Sequence, residues 1–204
     1  MIYDIGVHRV RNGNVMDGID ALMEGQKAYL MYSDPPWGEG NLKYWCTMNR
    51  KMTGQEVIPA KLDDFIDQIF NIAKDHVSDH VLIEYGVRWE KEIKQKAADV
   101  GLKFVQTVQL LYRSGKDLLP LHLHIFTKTS LSVGTAYVKS VENTSGFKTL
   151  KQAIYPIAKP GSIILDPCCG MGYTAQAAKN TGMVFRGNEL NMKRLEKTIA
   201  RLKK

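Results

Sequence analysis

The chain of 204 residues contains no run of about 18 apolar residues, the length a helix needs to cross a bilayer, so no membrane span is expected. Its opening, Met1-Ile2-Tyr3-Asp4, lacks the basic start and apolar core of a secretory leader. Cysteine is scarce. Cys46, Cys168 and Cys169 make an odd count, and the adjacent pair is poorly placed to bridge, which excludes a disulfide framework. The same spacing is wrong for a structural zinc site, and no metal is expected. A reducing compartment is the default. There is no internal repeat, no low-complexity segment and no point at which a second domain can be cut out, so residues 1–204 are expected to form one domain.

What is present is an ordinary globular composition, 44% apolar, with a formal net charge of +7. That charge favours a polyanionic partner such as nucleic acid without requiring one. Residues 1–14 suggest a short strand or an edge hairpin, and residues 15–25 a short helix ended at Gly25. Ala28-Tyr29-Leu30-Met31-Tyr32 is a short apolar run expected to be a buried strand. Leu62, Phe65, Ile66, Ile69, Phe70 and Ala73 repeat at three and four, which predicts a helix over 61–76 with Asp63 and Asp64 in its first turn. A strand over 81–86, a helix over 88–100 and two strands, 103–112 and 121–127, follow, the last two read as a hairpin around a turn at 113–119. The tail gives a helix at 148–158, a strand at 162–166, a glycine turn at 167–172, a helix at 173–180, a strand at 183–187 and a helix at 190–203. This order predicts an α/β fold, a doubly wound, mostly parallel sheet with an antiparallel hairpin edge. His76 with His80, and His122 with His124, lack further ligands at metal spacing. The first pair is expected at the surface or at a cap, the second within a strand.

Two stretches have no clear period. Residues 38–60 are broken by Gly38, Gly40, Gly54 and Pro59, and carry Lys43, Arg50 and Lys51. Residues 128–147 contain Gly134, Asn143 and Gly146. Both are expected to be loops that lie over a substrate, with the three cations as candidate substrate contacts.

Chemistry concentrates in two motifs. The strand at 28–33 runs into Asp34-Pro35-Pro36-Trp37, where two prolines force a rigid exit and leave one carboxylate and one large aromatic at the carboxyl edge of the sheet. The second is Leu165-Asp166-Pro167-Cys168-Cys169-Gly170-Met171-Gly172, a strand entering a tight turn, then Tyr173-Thr174-Ala175-Gln176-Ala177-Ala178 opening a helix. Gly170 and Gly172 leave room for a ligand near the backbone. Glu189, just beyond the next strand, can accept both hydroxyls of a ribose. The turn has no Gly-Lys-Ser or Gly-Lys-Thr and no third glycine, which argues against a nucleoside triphosphate and against a nicotinamide cofactor.

Taken together, the two motifs resemble those of the DNA amino-methyltransferases in their permuted, β-group order, with the catalytic motif first. The resemblance covers the whole chain and implies a Rossmann-like fold that binds S-adenosylmethionine. It assigns Asp34, Pro35, Pro36 and Trp37 to catalysis on the exocyclic N6 of adenine, and Asp166, Pro167, Cys168, Gly170, Gly172 and Glu189 to the cofactor. Asp34 and the Pro35 carbonyl would orient the amine, and Trp37 would stack on a flipped or single-stranded base. DNA is the expected partner, in the cytoplasm of a bacterial or phage-infected cell, and a homodimer is compatible with so small a core. The chain departs from the family at Cys168, where phenylalanine is common, and at Tyr173, where threonine is common. It also lacks the His-Pro-x-x-Lys-Pro pattern upstream, whose role falls by position to Ser145-Gly146-Phe147-Lys148. The alternatives are adenine N6 in RNA and a catalytically silent binding module of the same fold. Cytosine N4 is disfavoured because that group tends to carry serine where this chain has Asp34.

Overall fold

The computed structural model describes residues 1–114 and 116–204, the side chain of Ser114 excepted. Gly115, the centre of the expected turn at 113–119, lies outside the described residues.

The chain opens as a hairpin, β1 (Ile2–Ile5) against β2 (His8–Asn12), then a one-turn helix, α1 (Asp20–Met23), and β3 (Ala28–Ser33). Helices α2 (Glu39–Thr53) and α3 (Leu62–His76) lead into β4 (Val77–Gly86) and α4 (Glu90–Asp99). Two long strands, β5 (Lys103–Ser114) and β6 (Asp117–Thr127), are followed by α5 (Thr135–Val141) and α6 (Phe147–Ile154). The tail is β7 (Ile163–Asp166), α7 (Tyr173–Asn180), β8 (Val184–Glu189) and α8 (Met192–Lys203).

All eight strands join one sheet in the order β1-β2-β8-β7-β3-β4-β6-β5. The run from β2 to β4 is parallel; β6 opposes β4, and the outer strands β1 and β5 oppose their neighbours. The mostly parallel sheet with an antiparallel hairpin edge is therefore present, and a second hairpin, β1–β2, closes the other side. Strands buried on both faces read as continuous apolar runs, as Leu30, Met31 and Tyr32 do. Alternate residues of β4 serve two cores. Val81, Ile83 and Tyr85 pack with Ile66, Ile69 and Phe70 of α3, whereas Leu82 packs with Ile154, Ala178, Phe185 and Leu195 on the opposite face.

Several local expectations differ from the structure. Residues 39–53 are helical, because Leu42, Cys46 and Asn49 fall at i, i+4 and i+7 and are buried, and Gly54 closes the helix at φ 74°. A polar Asn inside so narrow a stripe hides its period. The stretch 128–147 contains α5, whose only buried member is Val141; Tyr137 secures it by donating its hydroxyl to the Ala153 carbonyl at 2.9 Å. The helix expected over 15–25 shrinks to α1 and a single 3-10 turn at Val15–Asp17. Strand β4 begins at Val77, directly after α3, so His80 lies inside a strand. It is a core residue, with Nδ1 at 3.0 Å from Thr127 Oγ1 and Nε2 at 3.2 Å from Tyr29 Oη, and not a surface or capping histidine.

The architecture places one point apart from the rest. Strands β7 and β3 are adjacent, yet the chain leaves β7 toward β8 on one side and leaves β3 toward β4 on the other. The carboxyl ends of two such strands diverge from their connections and leave a crevice between them. Asp166 ends β7, and Asp34 follows the last residue of β3.

Candidate functional site

A cleft opens over this switch point. Its floor is Asp34 to Trp37 and Pro167 with Cys168. Asn14, Val15 and Met16, which follow β2, and Asn188 to Asn191, at the end of β8, form one side. Asn41, Leu42, Trp45 and Cys46 of α2 reach across from above, and Tyr112 of β5 closes the far end.

Asp34 is exposed to this cleft. Protein crowds its other sides, and that loss of hydration raises its pKa to about 6 against the opposing pull of Arg194 and of a hydrogen bond from the Trp37 side chain. Beneath it lies Glu84 of β4, fully enclosed, with Tyr32 donating its hydroxyl to the carboxyl group. Burial and the nearby Asp34 raise Glu84 to about 8. Trp37 is half-buried, its ring edge-on to Tyr112 at 5.5 Å and to Trp89 at 6.4 Å. Trp89 in turn fills space that only glycine leaves free: a Cβ at Gly86 would stand 2.6 Å from its ring, and one at Gly38, 2.7 Å.

The glycine turn behaves differently from its expected role. Asp166 does not border the cleft. Its oxygens accept from the Thr174 hydroxyl at 2.6 Å and the Cys168 amide at 3.1 Å, so it ties the turn to the start of α7. Burial raises its pKa to about 7, with Asp34 and Glu189 adding to the shift. Gly170 and Gly172, both at positive φ, make room for α8 rather than for an open approach. A Cβ at Gly170 would meet Arg194 Nη2 at 2.6 Å, and one at Gly172 would meet Thr198 Oγ1 at 2.7 Å. Pro167, Cys168 and Glu189 are the members of that expected set that face the cleft.

Glu189 ends β8 and is aimed by two backbone amides, Gly170 N–H to Oε2 and Asn191 N–H to Oε1, each at 2.8 Å. Each oxygen keeps a free lone pair, so a vicinal diol can donate to both. Burial raises its pKa, while Arg194 and the two amides work against that shift.

The three cations of α2 are not part of the cleft. Lys43 faces Glu39 at 3.6 Å, Arg50 faces Glu56 at 3.6 Å, and all three are exposed, because the buried stripe of α2 turns them outward. Phe147 stands beside Tyr173 at 6.0 Å between ring centres, also off the cleft. An acid does reach the second histidine pair, with Glu90 Oε2 at 3.0 Å from His122 Nδ1. Among the described residues no His, Cys, Asp and Glu group is arranged to hold a metal ion.

Sequence reasoning missed Arg194, Trp45, Tyr112 and Glu84. Arg194 reads as one of many cations along α8, yet it alone among them borders the cleft, with its guanidinium carbon 4.0 Å from the Trp45 ring centre. Its place five residues after Glu189, one helical turn past the strand end, was the available signal.

No family model and no curated protein matches the chain. Solved structures do. M1.HpyAVI in complex with SAM is 17% identical, with a TM-score of 0.67, over 95% of this chain and 98% of that one. TTHA0409, a putative DNA modification methylase from Thermus thermophilus, is 14% identical, with a TM-score of 0.67, over 96% and 94%. The PvuII DNA methyltransferase, cytosine-N4-specific, is 12% identical, with a TM-score of 0.64, over 94% and 85%. At these identities the likeness establishes the fold: a Rossmann-like mixed sheet of the kind found in DNA methyltransferases.

Proposed function

We propose that this chain transfers a methyl group from S-adenosylmethionine to the exocyclic N6 of adenine in DNA. One observation carries the reading: Asp34 and Glu189, from motifs 155 residues apart, border a single cleft at the switch point of the sheet. Glu189 can take a ribose diol. Asp34, directly followed by Pro-Pro-Trp, can take an amine. The order of the two motifs along the chain is that of the β group.

The residues fit the cofactor. Glu189 is pre-aimed by backbone amides, Pro167 and Cys168 form a wall at the turn, and the carboxylates around the cleft favour a cation. When bound, S-adenosylmethionine supplies an electrophilic methyl on a sulfonium. The chain supplies the rest. The adenine N6 lone pair is delocalised into its ring. Asp34 accepts one N6 hydrogen and the Pro35 carbonyl the other, which draws the nitrogen toward tetrahedral character and aims its lone pair. Trp37 holds the base by its ring face, an interaction worth about 1–3 kcal/mol per base. A base within a duplex must first leave the stack, at a cost of a few kcal/mol. Alignment and electrostatics at the amine carry most of the rate.

Two related readings keep the same chemistry. RNA adenine fits the same cleft, and the PvuII enzyme, specific for cytosine N4, has the same fold. Asp34 favours adenine, because serine is common at that position in the cytosine-N4 group. The test is transfer of labelled methyl to unmethylated duplex DNA, single-stranded DNA and RNA, with digestion to nucleosides. N6-methyladenine from DNA is expected. Label in N4-methylcytosine, or in RNA alone, would replace this reading, and transfer undiminished in Asp34→Ala would remove the assigned chemistry.

A further inference from the structure

Among the described residues Arg194 is the one cation that borders the cleft, where the charged groups beside it are the two acids Asp34 and Glu189. It rises from the first turn of α8, stacks on the Trp45 indole at 4.0 Å and rests its Nη2 against the backbone of Gly170, where even a Cβ would be 2.6 Å away. Trp45 belongs to α2 and Gly170 to the turn after β7, so the side chain bridges the cover of the cleft to its floor. Its Nε is buried without a hydrogen-bond partner among the described residues. The stack and the close packing fix the guanidinium in place, while its charge acts on both ends of the cleft, pulling down the pKa of Asp34 and of Glu189. Cation–π stacking of this kind holds an arginine without an acid partner.

We propose that Arg194 is the resident counter-cation of the cleft and sets its discrimination between the charged cofactor and its neutral product. The argument rests on the cofactor reading above and follows from charge. Any ligand that reaches from Glu189 to Asp34 lies in the field of Arg194. S-adenosylmethionine brings a sulfonium into that field, whereas S-adenosylhomocysteine brings a neutral sulfur and differs otherwise only by the missing methyl group. In the proposed transfer, the N–C bond would form as the C–S bond breaks with its electron pair left on sulfur; the positive charge would pass to the amine nitrogen and leave as one N6 proton, through Asp34 to solvent, while the sulfur becomes neutral. Arg194 disfavours the charged ligand and is indifferent to the neutral one. Before a ligand binds, Arg194 opposes the effect of burial on Asp34 and on Glu189, a role the sulfonium shares when bound.

Calorimetric titration of both compounds into the wild type, Arg194→Met and Arg194→Lys tests this. Met keeps a long apolar stem against Trp45 and removes the charge; Lys keeps the charge without the planar stack. In Arg194→Met, affinity for S-adenosylmethionine should rise relative to S-adenosylhomocysteine by about tenfold, the scale of a unit charge acting across a partly solvated cleft. Arg194→Lys should keep the wild-type ratio within about twofold, because its charge is retained. An equal loss of affinity for both compounds in Arg194→Met would overturn the proposal and make Arg194 a clamp on the carboxylate they share. An unchanged ratio would overturn it too. If the wild type binds neither compound, the cofactor reading falls first and this inference with it, an outcome separate from a shifted or unshifted ratio.

Discussion

At the scale of single residues, the site is governed by how far each carboxylate is removed from water. In the proposed reaction Asp34 acts on the amine as a charged acceptor, which requires it to be ionised. With its pKa raised to about 6, the ionised fraction, and with it kcat/KM, should fall as pH drops through about 6, well above the usual aspartate range. A pH–rate profile measures this, and an acid limb near pH 4 would mean that Asp34 is hydrated as at an open surface. Asp34→Asn keeps the shape and removes the acceptor charge. Transfer should drop by about 10³-fold or more, the scale of a lost electrostatic contact in an active site, with cofactor affinity kept within about threefold. Glu189→Ala should do the reverse, weakening S-adenosylmethionine binding by about 10- to 100-fold, since it deletes a charged acceptor of two hydrogen bonds. Calorimetry separates the two variants, and equal effects on affinity would undo the division of labour.

At the scale of elements, the aromatic wall beside Asp34-Pro35-Pro36-Trp37 depends on two glycines. Gly86 has a φ of −62°, a conformation open to any residue, so its requirement is one of space. Its missing Cβ is where Trp89 sits, and Trp37 lies 3.2 Å from the same point. Gly86→Ala should displace Trp89, cost about 1–3 kcal/mol of stability as other overpacking changes do, and raise KM for the nucleic acid more than KM for the cofactor. A variant with normal stability and normal KM would mean that the wall does not hold Trp37. The legibility of the chain follows the same division. Central elements such as β3, α3 and α7 were readable because burial on one or two faces imposes an unbroken pattern. Helix α2 was not, because its buried stripe is short and includes Asn49, and its helicity comes from what it covers rather than from its own period. Asp34, Trp37 and Glu189 could be placed because proline and strand ends mark the sheet edge. The glycines of the turn were assigned to a ligand when their space belongs to Arg194 and Thr198, a contact between segments distant in sequence that no local pattern encodes.

At the scale of the whole molecule, a chain with a formal net charge of +7 gathers Asp34, Glu84, Asp166 and Glu189 at one edge of its sheet. Ionised acids held this close and this dry oppose folding, and the opposition has a definite pH window. Glu84 starts from an ordinary value of 4.5 and stands at about 8 when folded; Asp166 starts from 3.8 and stands at about 7. Between each pair of values the native state holds a proton that the unfolded chain has released. Stability therefore falls as pH rises from the lower value to the upper, and stays reduced above it. Glu84→Gln removes the Glu84 part of this dependence, because an amide oxygen still accepts from the Tyr32 hydroxyl and cannot ionise. The variant should melt within about 2 °C of the wild type near pH 5 and about 10 °C above it at pH 9, the shift that a few kcal/mol produces in a domain of this size. Thermal melts across that range decide it. Curves that run parallel from pH 5 to pH 9 would mean that Glu84 is ionised in the folded protein, and the cleft would then rest on a layer of negative charge rather than on a neutral acid.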